Sequence, residues 1–166
     1  MTEEKISIPQ VYHWLSGISD PEIPAVSILD LGIVRDVILV DNGQEISVTI
    51  TPTYSGCPAM DIISMQIRMA LMGRGIRKVT IEMQLAPAWT TDWITEEGKA
   101  KMRAYGIAPP ERKAKATLDL FEEDEIVCPH CQSAHTEMVS QFGATSCKSM
   151  YRCLDCKEPF EHFKCH

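Results

Sequence analysis

Two short cysteine motifs near the end of the chain carry the clearest chemistry. Cys128-Pro129-His130-Cys131 and Cys153-Leu154-Asp155-Cys156 are C-x-x-C knuckles separated by 21 residues. A two-residue gap lets both thiolates of a knuckle face one ion, and the longer gap supplies two strands that bring the knuckles together, as in a four-cysteine zinc ribbon. Zinc is the expected metal. A rubredoxin-type iron site and a pair of disulfides are the alternatives, the latter opposed by a reducing compartment. A tail of about 40 residues is too small to fold by burial alone, whereas structural zinc contributes on the order of 10 kcal/mol to folding. Cys147, Cys165 and His166, together with His130, His135 and His162, exceed what a closed tetrahedral site needs. They are packing groups or a second soft-metal or cluster-contacting surface.

The seventh cysteine, Cys57, lies apart in Thr51-Pro52-Thr53-Tyr54-Ser55-Gly56-Cys57-Pro58. With Pro58 at a first helical position, Cys57 is expected at the N-cap, where unpaired N–H groups and the helix dipole favour a thiolate. An accessible thiol more acidic than usual is therefore expected, with the hydroxyls of Thr51, Thr53, Tyr54 and Ser55 near it. A small buried cysteine is the competing reading. His13 is the only histidine before the knuckles, so a nucleophile–base pair is weakly supported.

These residues need a scaffold. Val11, Trp14, Leu15 and Ile18 have helical spacing, predicting a helix over Pro9–Ser19. Leu29–Val40 and Glu45–Thr51 read as strands joined at Asp41-Asn42-Gly43, a hairpin turn. Cys57–Met72 reads as a second helix closed by Gly73 and Gly75, with Met60, Met65, Met69 and Met72 expected as core filler. Arg77–Leu85 alternates as a third strand, and Thr95–Tyr105 reads as a last helix. The order helix, hairpin, helix, strand, helix predicts a small two-layer α+β domain followed by the ribbon. The expected division is 1–106 for the first domain, 107–125 for a linker with the acidic run Glu122-Glu123-Asp124-Glu125, and 126–166 for the ribbon.

The 166 residues carry a formal charge of −7, which disfavours nucleic acid. No apolar run is long enough for a membrane span, and no export signal is evident, so a cytoplasmic protein is expected. A protein or small-molecule partner is the default; a homo-oligomer stays open.

Asp20-Pro21-Glu22-Ile23-Pro24, Asp30-Leu31-Gly32 and Ser55-Gly56-Cys57-Pro58 resemble the small iron-sulfur assembly domain of bacterial SufT-like proteins and of the eukaryotic cytosolic iron-sulfur targeting machinery, over about residues 7–105. Phe142-Gly143-Ala144-Thr145-Ser146-Cys147-Lys148, Tyr151-Arg152-Cys153, Glu158-Pro159-Phe160 and Phe163-Lys164-Cys165-His166 extend the likeness. Together the halves resemble the PaaD (PaaJ) family of phenylacetate degradation, which usually has Ser where this chain has Ala144. The resemblance implies an accessory component of the phenylacetyl-CoA ring-epoxidising monooxygenase system, one that helps metallate its di-iron oxygenase or mature the cluster of its reductase. Cys57, with Asp20 and Glu22 nearby, would then contact iron or a cluster transiently, and the ribbon would recognise the client among the oxygenase and reductase proteins. No Glu-x-x-His pairs, Gly-rich dinucleotide fingerprint or ferredoxin cysteine spacing occur, so the chain is expected not to be an enzyme. A structural subunit of the oxygenase complex, and a thiol enzyme or redox sensor built on Cys57, are the other readings.

Overall fold

The computed structural model describes residues 5–111 and 125–164, and its contacts divide the chain into two compact units, Met1–Trp89 and Thr90–His166. In the first, helix α1 (Ile8–Leu15) buries Val11 and Leu15 completely. It is shorter than its periodicity predicts. The Ser16 hydroxyl donates to the carbonyl of His13 at 2.7 Å, and the chain turns through Gly17.

Strand β1 (Val34–Val40) starts later than Leu29 because the preceding residues close on themselves. The Asp30 carboxylate accepts the N–H of Ser27 at 2.9 Å, and the Ser27 hydroxyl accepts that of Asp30 at 3.0 Å. Trp89 adds a long-range tie, its indole N–H donating to the Leu31 carbonyl at 2.8 Å. The hairpin to β2 (Glu45–Ile50) forms as expected, with Asp41, Asn42 and Gly43 all at positive φ (48°, 54° and 89°).

Helix α2 (Ala59–Met72) then crosses over to β3 (Lys78–Met83), which pairs parallel with β2, Ile46 to Val79 through Ile50 to Met83. The sheet order is β1-β2-β3. Ile46, Val48 and Ile50 alternate inward along β2, while Ile63, Ile67 and Leu71 recur at helical spacing on α2; all six are essentially solvent-inaccessible. The expectation for the methionines needs correction. Met60 is buried, but Met65, Met69 and Met72 are more than half exposed because they lie on the face of α2 opposite Ile63, Ile67 and Leu71.

In the second unit, α3 (Glu96–Tyr105) is capped by Thr95, whose hydroxyl accepts the N–H of Gly98 at 3.0 Å. It ends at Gly106, whose φ of 92° is a left-handed C-terminal stop. Strand β4 (Ile107–Ala108) follows directly and pairs parallel with β7 (Pro159–Phe163). With β5 (Thr136–Ser140) and β6 (Lys148–Cys153) this makes a four-stranded sheet of order β4-β7-β6-β5. The contacts thus group α3 with the ribbon strands. Of the stretch read as a linker, Ile107 and Ala108 are strand and Pro109 and Pro110 are buried, while 112–124 lie outside the described residues. No described helix is long and apolar enough to cross a membrane.

Candidate functional site

Both knuckles follow one local plan. The residue after the second cysteine of each, Gln132 and Lys157, adopts a positive φ of 64° and 67°. That left-handed step folds the chain back, so the Cys128 N–H donates to the Ser133 carbonyl at 2.8 Å and the Cys153 N–H to the Glu158 carbonyl at 3.0 Å. It also aims backbone N–H groups at sulfur: Ser133 at Cys131, Asp155 and Cys156 at Cys153, and Glu158 at Cys156. Registers Thr136 to Cys153 and Arg152 to Pro159 place the knuckles side by side.

The four sulfurs lie within 4.8 Å of one another. Cys131 and Cys153 are 3.5 Å apart, and Cys128 and Cys156 are 3.8 Å apart. A disulfide would need about 2.05 Å. With metal–sulfur bonds of about 2.3 Å, a tetrahedron separates its sulfurs by roughly 3.8 Å, so the donor set fits one four-coordinate ion. Four thiols this close compete for protons. Donated N–H bonds from Cys156 and Asp155 draw Cys153 down to about 6. Cys156 is pushed up to about 12: the Glu158 N–H opposes this, but burial and the thiols of Cys153, Cys131 and Cys128 outweigh it. A metal replaces those protons and removes the conflict.

A polar link outside the sulfurs joins the knuckles. The Ser133 hydroxyl bonds the Asp155 carboxylate and accepts the His135 N–H at 3.0 Å, and His135 Nδ1 lies 3.5 Å from Asp155. The Ser133 hydroxyl, and secondarily His135, hold the Asp155 carboxyl below its usual range. Sequence reasoning passed over Ser133 and Asp155. Their positions, one just beyond a knuckle and one inside the other, were the available signal.

The expected cap is displaced by one residue: the helix begins at Ala59 with Pro58, not Cys57, at its cap, and Cys57 lies just before it with its sulfur receiving the Ala59 N–H. The hydroxyls of Tyr54 and Thr53 also reach it, and Glu22 is near enough to act on it electrostatically. The expected acidic, accessible thiol is not what results. Cys57 is 8% exposed, and burial pushes its thiol up; the Ala59 N–H works against this, and the Glu22 charge reinforces it. Asp20, itself buried, accepts the N–H groups of Glu22 and Ile23 at 2.8 Å each and so fixes the bend that carries Glu22. Asp20→Ala should lower unfolding free energy by about 1–3 kcal/mol, because two amides lose their acceptor. Denaturant titration checks this; an unchanged midpoint contradicts the positioning role. In the same loop as Cys57 the Thr51 hydroxyl is fully buried without a hydrogen-bond partner, and Ser55 is exposed.

The remaining candidates scatter. Cys147 is buried with the Thr145 hydroxyl 3.0 Å from its sulfur, and buried His162 packs edge-on against Tyr151. His130 is exposed beside Gly106, and His13 is exposed on α1. Cys165 and His166 lie outside the described residues. Among the described residues, the side chains close enough to share one ion are the four knuckle cysteines, without these histidines or Cys147.

Comparison with known proteins follows this division. Residues 9–84 match the family model described as iron-sulfur cluster assembly protein, and residues 112–164 match the PaaD zinc beta ribbon domain. Over 163 residues the chain is 47% identical to an Escherichia coli (strain K12) protein named as one of the subunits of 1,2-phenylacetyl-CoA epoxidase, covering 96% of each. This chain belongs to the PaaD family. Its first part is also 33% identical to an Fe-S protein maturation auxiliary factor of Porphyromonas gingivalis, covering 55% of this chain and 87% of that one. A crystal structure of a domain of unknown function, DUF59, from Bacillus anthracis matches with a TM-score of 0.53 and 25% identity, over 57% of this chain and 89% of that one. The PaaD-family chain thus has an α+β assembly-type fold and a four-cysteine ribbon, as its motifs predict.

Proposed function

We propose that this chain is an accessory maturation factor of the phenylacetyl-CoA ring-epoxidising monooxygenase, a cytoplasmic protein that helps load iron or an iron-sulfur cluster into the oxygenase components and catalyses no oxygenation itself. The observation that carries the reading is the Cys57 site. Its buried sulfur receives a helix-start N–H, has two hydroxyls beside it and lies within range of the Glu22 charge. The field of Glu22 that holds the thiol proton also favours any cation that replaces it. Iron arriving as cargo would take the sulfur, the proton would leave, and Glu22 would offset the positive charge. The name of the Porphyromonas gingivalis relative, a maturation factor, supports the same use of the first domain.

The ribbon metal is proposed to be zinc, consistent with four thiolates and tetrahedral spacing. A structural-subunit role is the second reading, favoured by the name of the Escherichia coli relative, which counts it among the epoxidase subunits. A subunit stays in stoichiometric amounts in the purified oxygenase, and a maturation factor does not. The thiol-enzyme reading is weaker, because a raised, buried thiol is a poor nucleophile.

Anaerobic incubation with ferrous iron and sulfide, followed by desalting and elemental counting, tests the site. Wild-type protein should retain iron beyond the ribbon metal, and Cys57→Ser should not. Equal iron in both proteins removes Cys57 from the account.

A further inference from the structure

The loop from Phe142 to Cys147 in the ribbon unit is held more firmly than a surface turn requires. The buried Lys148 ammonium pairs with Glu161 at 2.7 Å, and the other Glu161 oxygen accepts the Ala144 N–H at 2.9 Å. The Gly143 N–H donates to the Lys148 carbonyl at 2.7 Å, and the Lys164 N–H to that of Cys147 at 3.0 Å. A Cβ on Gly143 would come within 2.7 Å of Glu161 Oε1, so a larger residue there must push the Glu161 carboxylate aside from the Ala144 N–H.

This fixed loop projects an aromatic ring outward. Phe142 is 63% exposed, its N–H tied to the Ser140 hydroxyl at 3.2 Å, and the Lys164 ammonium sits 4.2 Å from its ring centroid. Val139, just before it on edge strand β5, is 60% exposed. Among the described residues no carboxylate forms an ion pair with Lys164. A pre-positioned ring beside a cation that forms no ion pair with a described carboxylate is suited to anchor a partner that offers an apolar pocket and an acidic group.

We infer that Phe142, Val139 and Lys164 form the surface by which this chain docks on the epoxidase itself, in an apolar pocket of that protein rimmed by carboxylates. The occupant follows from two observations: the cation calls for an acidic rim, and the Escherichia coli relative is named a subunit of that epoxidase. The docking surface rests on an association with the epoxidase that the maturation reading requires and the structural-subunit reading shares, and it adds the means of recognition.

Binding of the purified full-length chain to purified epoxidase and, separately, to its reductase tests this by calorimetry at low and high salt. Wild type should bind the epoxidase with salt-sensitive affinity. Phe142→Ala and Lys164→Glu should each weaken it about tenfold or more, with ribbon metal content unchanged, and Lys164→Glu should also lose the salt dependence. Cys57→Ser should bind as wild type. If wild type binds and either variant binds equally well, the docking surface is wrong while the maturation reading stands. Binding through these residues to the reductase or to a second copy of the chain instead overturns the choice of occupant. If wild type binds neither component, the maturation reading falls and this inference falls with it.

Discussion

Serine in place of any one of Cys128, Cys131, Cys153 or Cys156 is expected to strip the ribbon of its metal and unfold the second unit while the first stays folded. The core beside the knuckles is a small cluster: Ala108, Ile126, Cys128, Cys153 and Phe160, with Tyr151 and Cys156 packed against them. Two ligands, Cys128 and Cys153, belong to that core, so the metal organises the buried cluster as well as the knuckles. Structural zinc contributes roughly 10 to 16 kcal/mol to such small folds, far more than this cluster recovers by burial. Strand β4 pairs with β7, so α3 should lose its anchor as well. The first unit has its own core across α1, α2, β1 and β2. Thermal unfolding should therefore show an early transition in the variants, and in wild type treated with a strong chelator, with a second transition left in place. Acid should act in the same direction, because the metal needs four deprotonated sulfurs: stability from the site is present at neutral pH and is lost as pH falls and protons displace the ion. A single transition at the wild-type temperature, with the metal gone, contradicts the account.

Local chemistry made much of this legible in advance. Asn42-Gly43 announced the hairpin, the stretch Thr95–Tyr105 was readable as α3, and the two C-x-x-C spacings located the thiolate cluster, because each signal acts over a few residues. What the sequence hid depends on contacts far along the chain. The parallel direction of β3 follows from the crossover through α2, and the late start of β1 from the Ser27–Asp30 turn. Assignment of α3 to the ribbon unit rests on a two-residue strand. The methionines of α2 have a periodicity that fits either face, so their spacing did not separate Met60, which is buried, from Met69, which is exposed. Cys57 is the sharpest case. The helix was readable but its start falls at Ala59, with Pro58 rather than Cys57 at the cap; its N–H does reach the sulfur, but the sign of the thiol shift is decided by burial and by Glu22, thirty-five residues earlier in the chain.

That site carries the second large effect. Cys57→Ser should fold nearly as wild type, since serine has a similar volume and can accept the Ala59 N–H in place of sulfur. Growth on phenylacetate should nevertheless fail, because a serine hydroxyl is a far weaker ligand for iron than a thiolate. The failure should reach the oxygenase through its cofactors and leave its polypeptides intact. Loss of the whole chain should have the same consequence, whereas Phe142→Ala should reduce loading without abolishing the Cys57 chemistry in isolation.

The central claim is therefore tested most directly by counting iron and acid-labile sulfide per polypeptide in epoxidase and reductase purified from cells that lack this chain. The maturation account predicts normal amounts of protein with metal content reduced several-fold in at least one component, and recovery with the wild-type chain but not with Cys57→Ser. Fully metallated components in those cells would contradict it and leave the structural-subunit reading in its place.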